Sequence, residues 1–197
     1  MRIVAAHVPP HTTGSGKIGA ATRARLGPAR LEVDIVVRVL VAYATKMGSN
    51  REIAEAIAAV LREHDLEADV RSVRDVRTPD GWDAVVLGSA LYAAHWQRDA
   101  NRFVARNREA LAARRVWVFS SGPLDRSLAD ADLPITPNAA EILAGVPYEG
   151  HRTFGGLLRP DAEDVDPQIL RTHAVGDFRD WTSIRSWAAA IANALSA

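Results

Sequence analysis

The sequence predicts an α/β fold: a doubly wound, five-stranded parallel sheet in the order 2-1-3-4-5, with helices on both faces. Three observations predict it. From Val39 onward, short apolar runs alternate with stretches of helical periodicity. Two of the runs, Val39-Leu40-Val41-Ala42 and Ala84-Val85-Val86-Leu87, are continuously apolar, as strands buried on both faces are. Five such strands interleaved with helices imply a parallel sheet covered on both sides.

Taken in order, Arg38–Ala44 reads as the first strand. Ser49–Glu63 follows as a helix, because Ile53, Ala56, Ile57, Val60 and Leu61 recur on one face. Glu67–Val73 is a half-buried strand with Ala68, Val70 and Val73 among charges. Thr78-Pro79-Asp80-Gly81 is turn chemistry, and Trp82–Gly88 holds the third strand. His95–Ala113 is a long helix with Phe103, Val104 and Leu111 inward. Arg115–Ser121 is the fourth strand, followed by a Pro-, Asp- and Ser-rich loop from Gly122 to Asn138 and a short helix over Ala139–Ala144. His151–Leu158 is the fifth strand, weakened by Gly155-Gly156. Pro160–Phe178 is irregular, with a helical turn at Gln168–His173. Thr182–Leu195 ends the pattern as an amphipathic helix facing inward with Ile184, Trp187, Ala188, Ile191 and Leu195.

Composition removes several function classes. The 197 residues are enough for one domain with a real core. Lys+Arg and Asp+Glu balance at 24 each, so no bulk basic field draws nucleic acid. Cysteine is absent, which removes disulfides, thiolate metal sites, iron–sulfur clusters and thiol catalysis; no metal site is expected. No apolar run approaches the ~20 residues that span a bilayer, so a cytoplasmic chain without stable membrane insertion is expected. No internal repeat or interdomain linker is visible.

Residues 1–37 differ from the rest. Met1–Leu31 carries Lys17, Arg23, Arg25 and Arg30 and no acidic residue, with turn-rich sequence from His11 to Lys17. A disordered N-terminal extension, or a start assigned too far upstream, is expected ahead of a domain over 38–197; an Arg-rich targeting segment is the alternative. Gly14-Ser15-Gly16-Lys17 is not a nucleotide P-loop: the G-x-x-x-x-G-K-[ST] spacing is missing, and Ile18 stands where a metal-binding hydroxyl is needed.

The chemistry concentrates where strands end. Ala44-Thr45-Lys46-Met47-Gly48-Ser49-Asn50 joins the first strand to the first helix. A helix start presents backbone N–H groups without partners and the positive end of the dipole. Gly48 lets backbone approach a ligand, and Thr45, Ser49 and Asn50 add hydrogen-bonding side chains. Ligands of doubly wound sheets bind beyond the carboxyl ends of the strands, where strand order reverses. Gly88–Trp96 and Ser120–Leu124 leave the carboxyl ends of strands three and four, so in this order the three segments converge on one crevice. One loop suits a phosphate, and the other two suit a flat amphipathic ring.

On these residues the chain from Val39 onward, about four-fifths of the whole, resembles flavodoxin-fold proteins, in particular the menaquinone-dependent protoporphyrinogen oxidase branch. The matching residues are Ala44–Asn50 with Arg51-Glu52-Ile53-Ala54, then Gly88-Ser89-Ala90-Leu91-Tyr92, and Gly176-Asp177-Phe178-Arg179-Asp180-Trp181 before the last helix. The resemblance implies non-covalent FMN. Thr45, Lys46, Met47, Gly48, Ser49 and Asn50 would surround its phosphate; Ser89, Ala90, Leu91 and Tyr92 would line one side of the isoalloxazine ring, and Ser120, Ser121, Gly122 and Pro123 the other. Asn50 stands where the family usually has Thr, and Lys46 adds a charge beside the loop. The family's longer basic insertion before the last helix is missing. Pro160–Phe178 is short and contains Asp161, Glu163, Asp164 and Asp166, which argues against membrane docking.

Each residue also has a plainer reading. Ser49 and Asn50 would cap the helix. Tyr92 would stack on a ring or pack against the next helix, and Trp96 belongs to core or rim. His95, the candidate catalytic residue, would relay a proton or simply be solvated. His173 is a surface histidine, Asp177 and Asp180 cap the last helix, and Trp181 packs under that cap. Asp125–Asp132 is a solvated loop, and Met47 packs on the phosphate loop. The function implied is an FMN-dependent oxidoreductase passing electrons from a reduced organic substrate to a quinone-like acceptor. The alternatives are a flavodoxin-type electron carrier that docks on redox partners, and a fold relic without cofactor. Deazaflavin stays open as a cofactor, in which case the loop would accept a chain continuing beyond its phosphate.

Overall fold

A computed structural model of the protein describes residues 36–46, 48–122, 124, 133–160, 171 and 175–197. The N-terminal extension assigned to 1–37 lies outside these apart from Val36 and Val37. So do the acidic loop Asp125–Asp132, the four acidic residues from Asp161 to Asp166, His173, and, except for Arg171, the turn at Gln168–His173. The unit that carries the sheet is Ile35–Ala197.

In chain order the elements are β1 Arg38–Ala44, α1 Ser49–Glu63, β2 Glu67–Ser72, β3 Ala84–Tyr92, β4 His95–Trp96, α2 Arg98–Ala112, β5 Arg115–Ser121, α3 Pro137–Ile142, β6 Gly150–Phe154, β7 Leu157–Leu158, β8 Gly176–Asp177 and α4 Trp181–Ser196. The principal sheet runs β2-β1-β3-β5-β6, all parallel. Counted over these five strands, that is the predicted order 2-1-3-4-5. The apolar runs of β1, β3 and β5 account for it: Val39, Val41 and Val86 face one side and Leu40, Val85 and Leu87 the other, all fully buried. On the first side α1 and α4 cover the sheet with Ile53, Ile57, Leu61, Ile184, Ala188 and Ile191. On the second, α2 and α3 cover it with Phe103, Val104, Leu111, Ala139 and Leu143. This is the two-sided burial that parallel strands require.

The structure corrects four elements. The third strand does not stop at Gly88. It runs on to Tyr92, turns at Ala93 and Ala94, and returns as β4, with Leu91 opposite Trp96 and Tyr92 opposite His95. The second helix therefore begins at Arg98 rather than His95. The reason is tertiary. Trp96 buries its ring, and its Nε1–H donates to Ser120 Oγ at 2.9 Å. Gln97 N–H donates to Ser89 Oγ at 2.9 Å. Both anchors hold residues 96 and 97 on the sheet, against a local pattern that favours helix. The connecting turn has φ of 49° at Ala93 and 63° at Ala94, the positive pair of a two-residue hairpin usually filled by Asn-Gly.

The fifth strand breaks where Gly155-Gly156 weakened it. Residues 150–154 complete the main sheet, whereas Leu157–Leu158 pairs antiparallel with Gly176–Asp177 in a separate ribbon. Phe178 N–H donates to Gly156 O at 2.9 Å, tying the ribbon to the break. The short helix starts at Pro137 rather than Ala139. Thr136 caps it, its Oγ1 accepting from Ala139 N–H at 3.3 Å, and Pro occupies the first turn where its missing N–H costs nothing.

Candidate functional site

Parallel register places three strand ends side by side. Ala44 of β1 lies opposite Ser89 of β3, Ser89 opposite Ser120 of β5, and Ser120 opposite Thr153 of β6. The segments predicted to converge thus leave the same edge of the sheet in adjacent positions.

At the end of β1 the chain forms a tight loop into α1. Gly48 is the residue before the helix, with φ +85°, a conformation that a side chain with Cβ disfavours. Among the described residues, a Cβ built there meets nothing within 4 Å, so the space above Gly48 is open with respect to them. Gly48 N–H donates to Thr45 Oγ1 at 3.0 Å, closing the loop. Arg51 and Glu52 N–H both turn back on Gly48 O, at 3.0 and 3.4 Å. Ser49 and Asn50 are buried at the first turn.

Asn50 caps nothing with its side chain. Its Nδ2 donates to Ala44 O at 3.0 Å, and its Oδ1 is buried without a partner among the described residues. A buried, unmatched acceptor costs about 1–3 kcal/mol. Nδ2 keeps a second proton with which to donate, and Oδ1 can accept from a hydroxyl or N–H. Lys46 is exposed beside the loop, and Met47 lies outside the described residues.

The ends of β3 and β5 are built differently. Ser89 and Ser120 are fully buried. Ser89 Oγ accepts from Gln97 N–H and donates to Ala90 O at 3.2 Å; Ser120 Oγ accepts from Trp96 Nε1–H. Both hydroxyls thus fasten β4 to the sheet. Ser121 and Ala90 are buried, and Leu91 and Tyr92 are half-buried at the hairpin. Gly88 is opposite Phe119, and a Cβ at Gly88 would fall 2.0 Å from Phe119 Cζ. Phe119 packs there with Phe154 and Trp187, ring centroids 5.7–6.3 Å apart. At Gly122 a Cβ would stand 2.7 Å from Leu91 Cβ, so the ends of β3 and β5 touch. Pro123 lies outside the described residues. His95 is exposed; its Nδ1 lies 2.7 Å from Ala93 O, which can only accept, so Nδ1 carries the proton and Nε2 is the acceptor of the neutral ring.

The Gly176–Trp181 segment reaches this site in a way the sequence reading missed. Asp180 caps α4 as expected, Oδ1 accepting from Thr182 and Ser183 N–H at 2.8 and 3.1 Å. Asp177 does not cap. It grips Arg179 bidentately, at 2.8 and 2.7 Å. The Arg179 side chain is 3% exposed; its Nη1 lies 2.9 Å from Glu52 Oε2 and donates to Ser49 O at 3.3 Å. Trp181, the first residue after that cap, packs on the core, and the Arg179 guanidinium lies over its ring, 4.5 Å from the ring centroid. Hydrogen bonds from Arg179 hold the Asp177 carboxyl below the usual carboxylate range. Burial works against the charge on Arg179, but the bonds to Asp177 and Glu52 outweigh it and raise its pKa. Arg159, 3.1 Å from Glu52, extends the network. A signal was present in the sequence: one arginine between two aspartates before a helix. Its partner, 127 positions earlier in Glu52, was not.

Among the described residues no cluster of His, Asp and Glu could hold a metal ion, and no helix is long and apolar enough to cross a membrane.

A parallel sheet of this order, covered by helices on both faces and with its polar loops gathered at one edge, defines a doubly wound α/β domain. Residues 40–159 match the flavodoxin domain family, and the chain belongs to that family. It is 30% identical over 73 residues to protoporphyrinogen IX dehydrogenase [quinone] of Escherichia coli (strain K12), covering 36% of this chain and 40% of that protein. The chain therefore matches about two-fifths of the length of this curated relative. Among solved structures it is similar to a flavodoxin from the domain Archaea, with TM-score 0.56, 15% identity, and coverage of 82% of this chain and all of that one. It is also similar to flavodoxin 2 from Bacillus cereus, with TM-score 0.55, 21% identity, and the same coverage. At these identities the structures establish the fold.

Proposed function

We propose that this protein is an FMN-dependent oxidoreductase that passes electrons from a reduced organic substrate to a quinone-like acceptor. The observation that carries the reading is the open space above Gly48, at a helix N-terminus and beside the aligned ends of β1, β3 and β5. It fits a phosphate: Thr45 and Ser49 supply hydroxyls, and the first turn of α1 supplies N–H groups and the positive end of the helix dipole. Asn50 Oδ1 fits as well, because a flavin's ribityl chain brings the hydroxyl donor that this acceptor lacks. The quinone acceptor is supported by the name of the Escherichia coli relative.

The bound flavin would supply two-electron redox chemistry, and the protein would hold and orient it. Ala90, Leu91 and Tyr92 would line one side of the ring and Ser121, Gly122 and Pro123 the other, through backbone and apolar surface. The hydroxyls of Ser89 and Ser120 would act indirectly, by fixing β4. His95 Nε2 would accept a proton from substrate at the hairpin.

An absorption spectrum of the purified protein, followed by FMN titration of the apo form, tests this. A yellow protein, or saturable FMN binding abolished by Gly48→Asp, is expected. A colourless protein indifferent to FMN overturns the reading. Anaerobic mixing of the reduced flavoprotein with a soluble quinone then separates enzyme from carrier: prompt reoxidation and sustained turnover with an organic reductant support the enzyme, and a strict requirement for a protein reductase favours the carrier.

A further inference from the structure

The buried Arg179 is more than the site's architecture requires. Asp177, two residues away, already matches two of its guanidinium nitrogens. Yet Nη1 crosses to α1 and engages two groups of its first turn, the Ser49 carbonyl and the Glu52 carboxylate. Glu52 is the acidic residue in that turn. A carboxylate there stabilises the helix dipole, and for the same reason it opposes an incoming anion at the same N-terminus. In this chain it is held from two sides, by Arg179 at 2.9 Å and by Arg159 at 3.1 Å.

We propose that Arg179 is a positioning residue for phosphate binding: it neutralises Glu52 and fixes the Ser49 carbonyl, so that the first turn of α1 stays open and electropositive toward a phosphate monoester. The proposal rests on the flavin reading above. It extends the site to a side chain that makes no contact with ligand and lies on the far side of the chain in sequence. It also assigns a role to the Asp177-Phe178-Arg179-Asp180-Trp181 run: Asp177 and Trp181 hold the guanidinium from two sides, and Asp180 anchors the start of α4 beside it.

The test compares FMN with riboflavin, which differ only in the phosphate. Wild-type binding of FMN is read first; if it is absent, the flavin reading fails and this proposal with it. Given binding, Arg179→Met should weaken FMN about tenfold, the scale of one unit charge near a helix terminus, and leave riboflavin within about twofold. Adding Glu52→Gln to that variant should restore FMN affinity, and Arg179→Lys should restore it in part. A role confined to packing would lower both affinities together and would not respond to Glu52→Gln; either result overturns the proposal while leaving FMN binding established. If Arg179→Met does not fold, Glu52→Gln alone decides. It should tighten FMN by a few-fold without altering riboflavin, because Asp177 still holds the guanidinium. Unchanged or weaker FMN binding overturns the proposal.

Discussion

The ends of β1 and β3 are both short, small-residue segments at the same edge of one sheet, and they put their polar groups to opposite uses. At β1 the strand stops. Gly48 turns the chain through a positive φ, and among the described residues nothing fills the space above it and nothing matches the Asn50 acceptor. At β3 the strand continues into a hairpin, and Ser89 is fully satisfied within the protein. In sequence both look like ligand loops. The difference is made by Trp96. Its burial holds the returning chain on β3; its Nε1–H engages the Ser120 hydroxyl, and the next residue, Gln97, engages Ser89 through its N–H. A hydroxyl-rich strand end is therefore a binding loop only if nothing later in the chain comes back to claim it.

Substitutions can break this contrast at either end. The largest effect belongs to Gly88→Ala, which drives a methyl into the Phe119 ring beneath the aromatic trio. Urea denaturation should show a loss of about 3 kcal/mol. Ser120→Ala comes next. It leaves the buried Trp96 Nε1–H without an acceptor and should cost about 2 kcal/mol. It should leave FMN affinity nearly unchanged, because the hydroxyl faces Trp96; a large loss of FMN affinity with little loss of stability would show that Ser120 meets the ligand directly. Gly48→Ala places a Cβ in open space, so its cost is conformational only, about 1–2 kcal/mol. Its effect on FMN should exceed its effect on stability, the reverse of Ser120→Ala.

The smallest effect is that of pH on Asp177. Its carboxyl is held below the usual range in the folded protein, so the stabilisation is complete above about pH 4 and is lost as pH falls through the depressed value. Asp177→Asn should therefore destabilise at pH 7 and approach wild type near pH 3, measured by urea midpoints. The carboxylate is about two-fifths exposed, and solvent screening keeps this contribution below the others. An equal deficit at both pH values would assign the loss to packing instead of charge.

Sequence pattern made the sheet legible because buried parallel strands are written as unbroken apolar runs. Ala84–Leu87 and Val116–Phe119 admit few other readings, and their order follows from crossover rules. The Thr45–Asn50 loop was legible for the same local reason: strand, glycine and helix start are contiguous. The hairpin was not. Ala93-Ala94 carries no turn signature, and the residues that force it, Trp96 and Ser120, are 24 positions apart. Nor was Arg179 legible, since charge says nothing of burial until Glu52 is seen beside it. Those contacts join distant segments, and a single sequence records each side chain without its partner.

The position of α4 has a consequence for the order in which the chain is made. β1 lies in the interior of the sheet, and one of its two faces is covered by α1 together with α4, through Ile184, Ala188 and Ile191. β1 and α1 emerge from the ribosome early, and α4 emerges only after every strand of the main sheet has been synthesised. Until then the cluster that α1 forms with Val39 and Val41 lacks the share of its cover that Ile184, Ala188 and Ile191 supply. Apolar surface exposed in this way is prone to aggregation, and a pause in synthesis just before Trp181 would prolong that exposure.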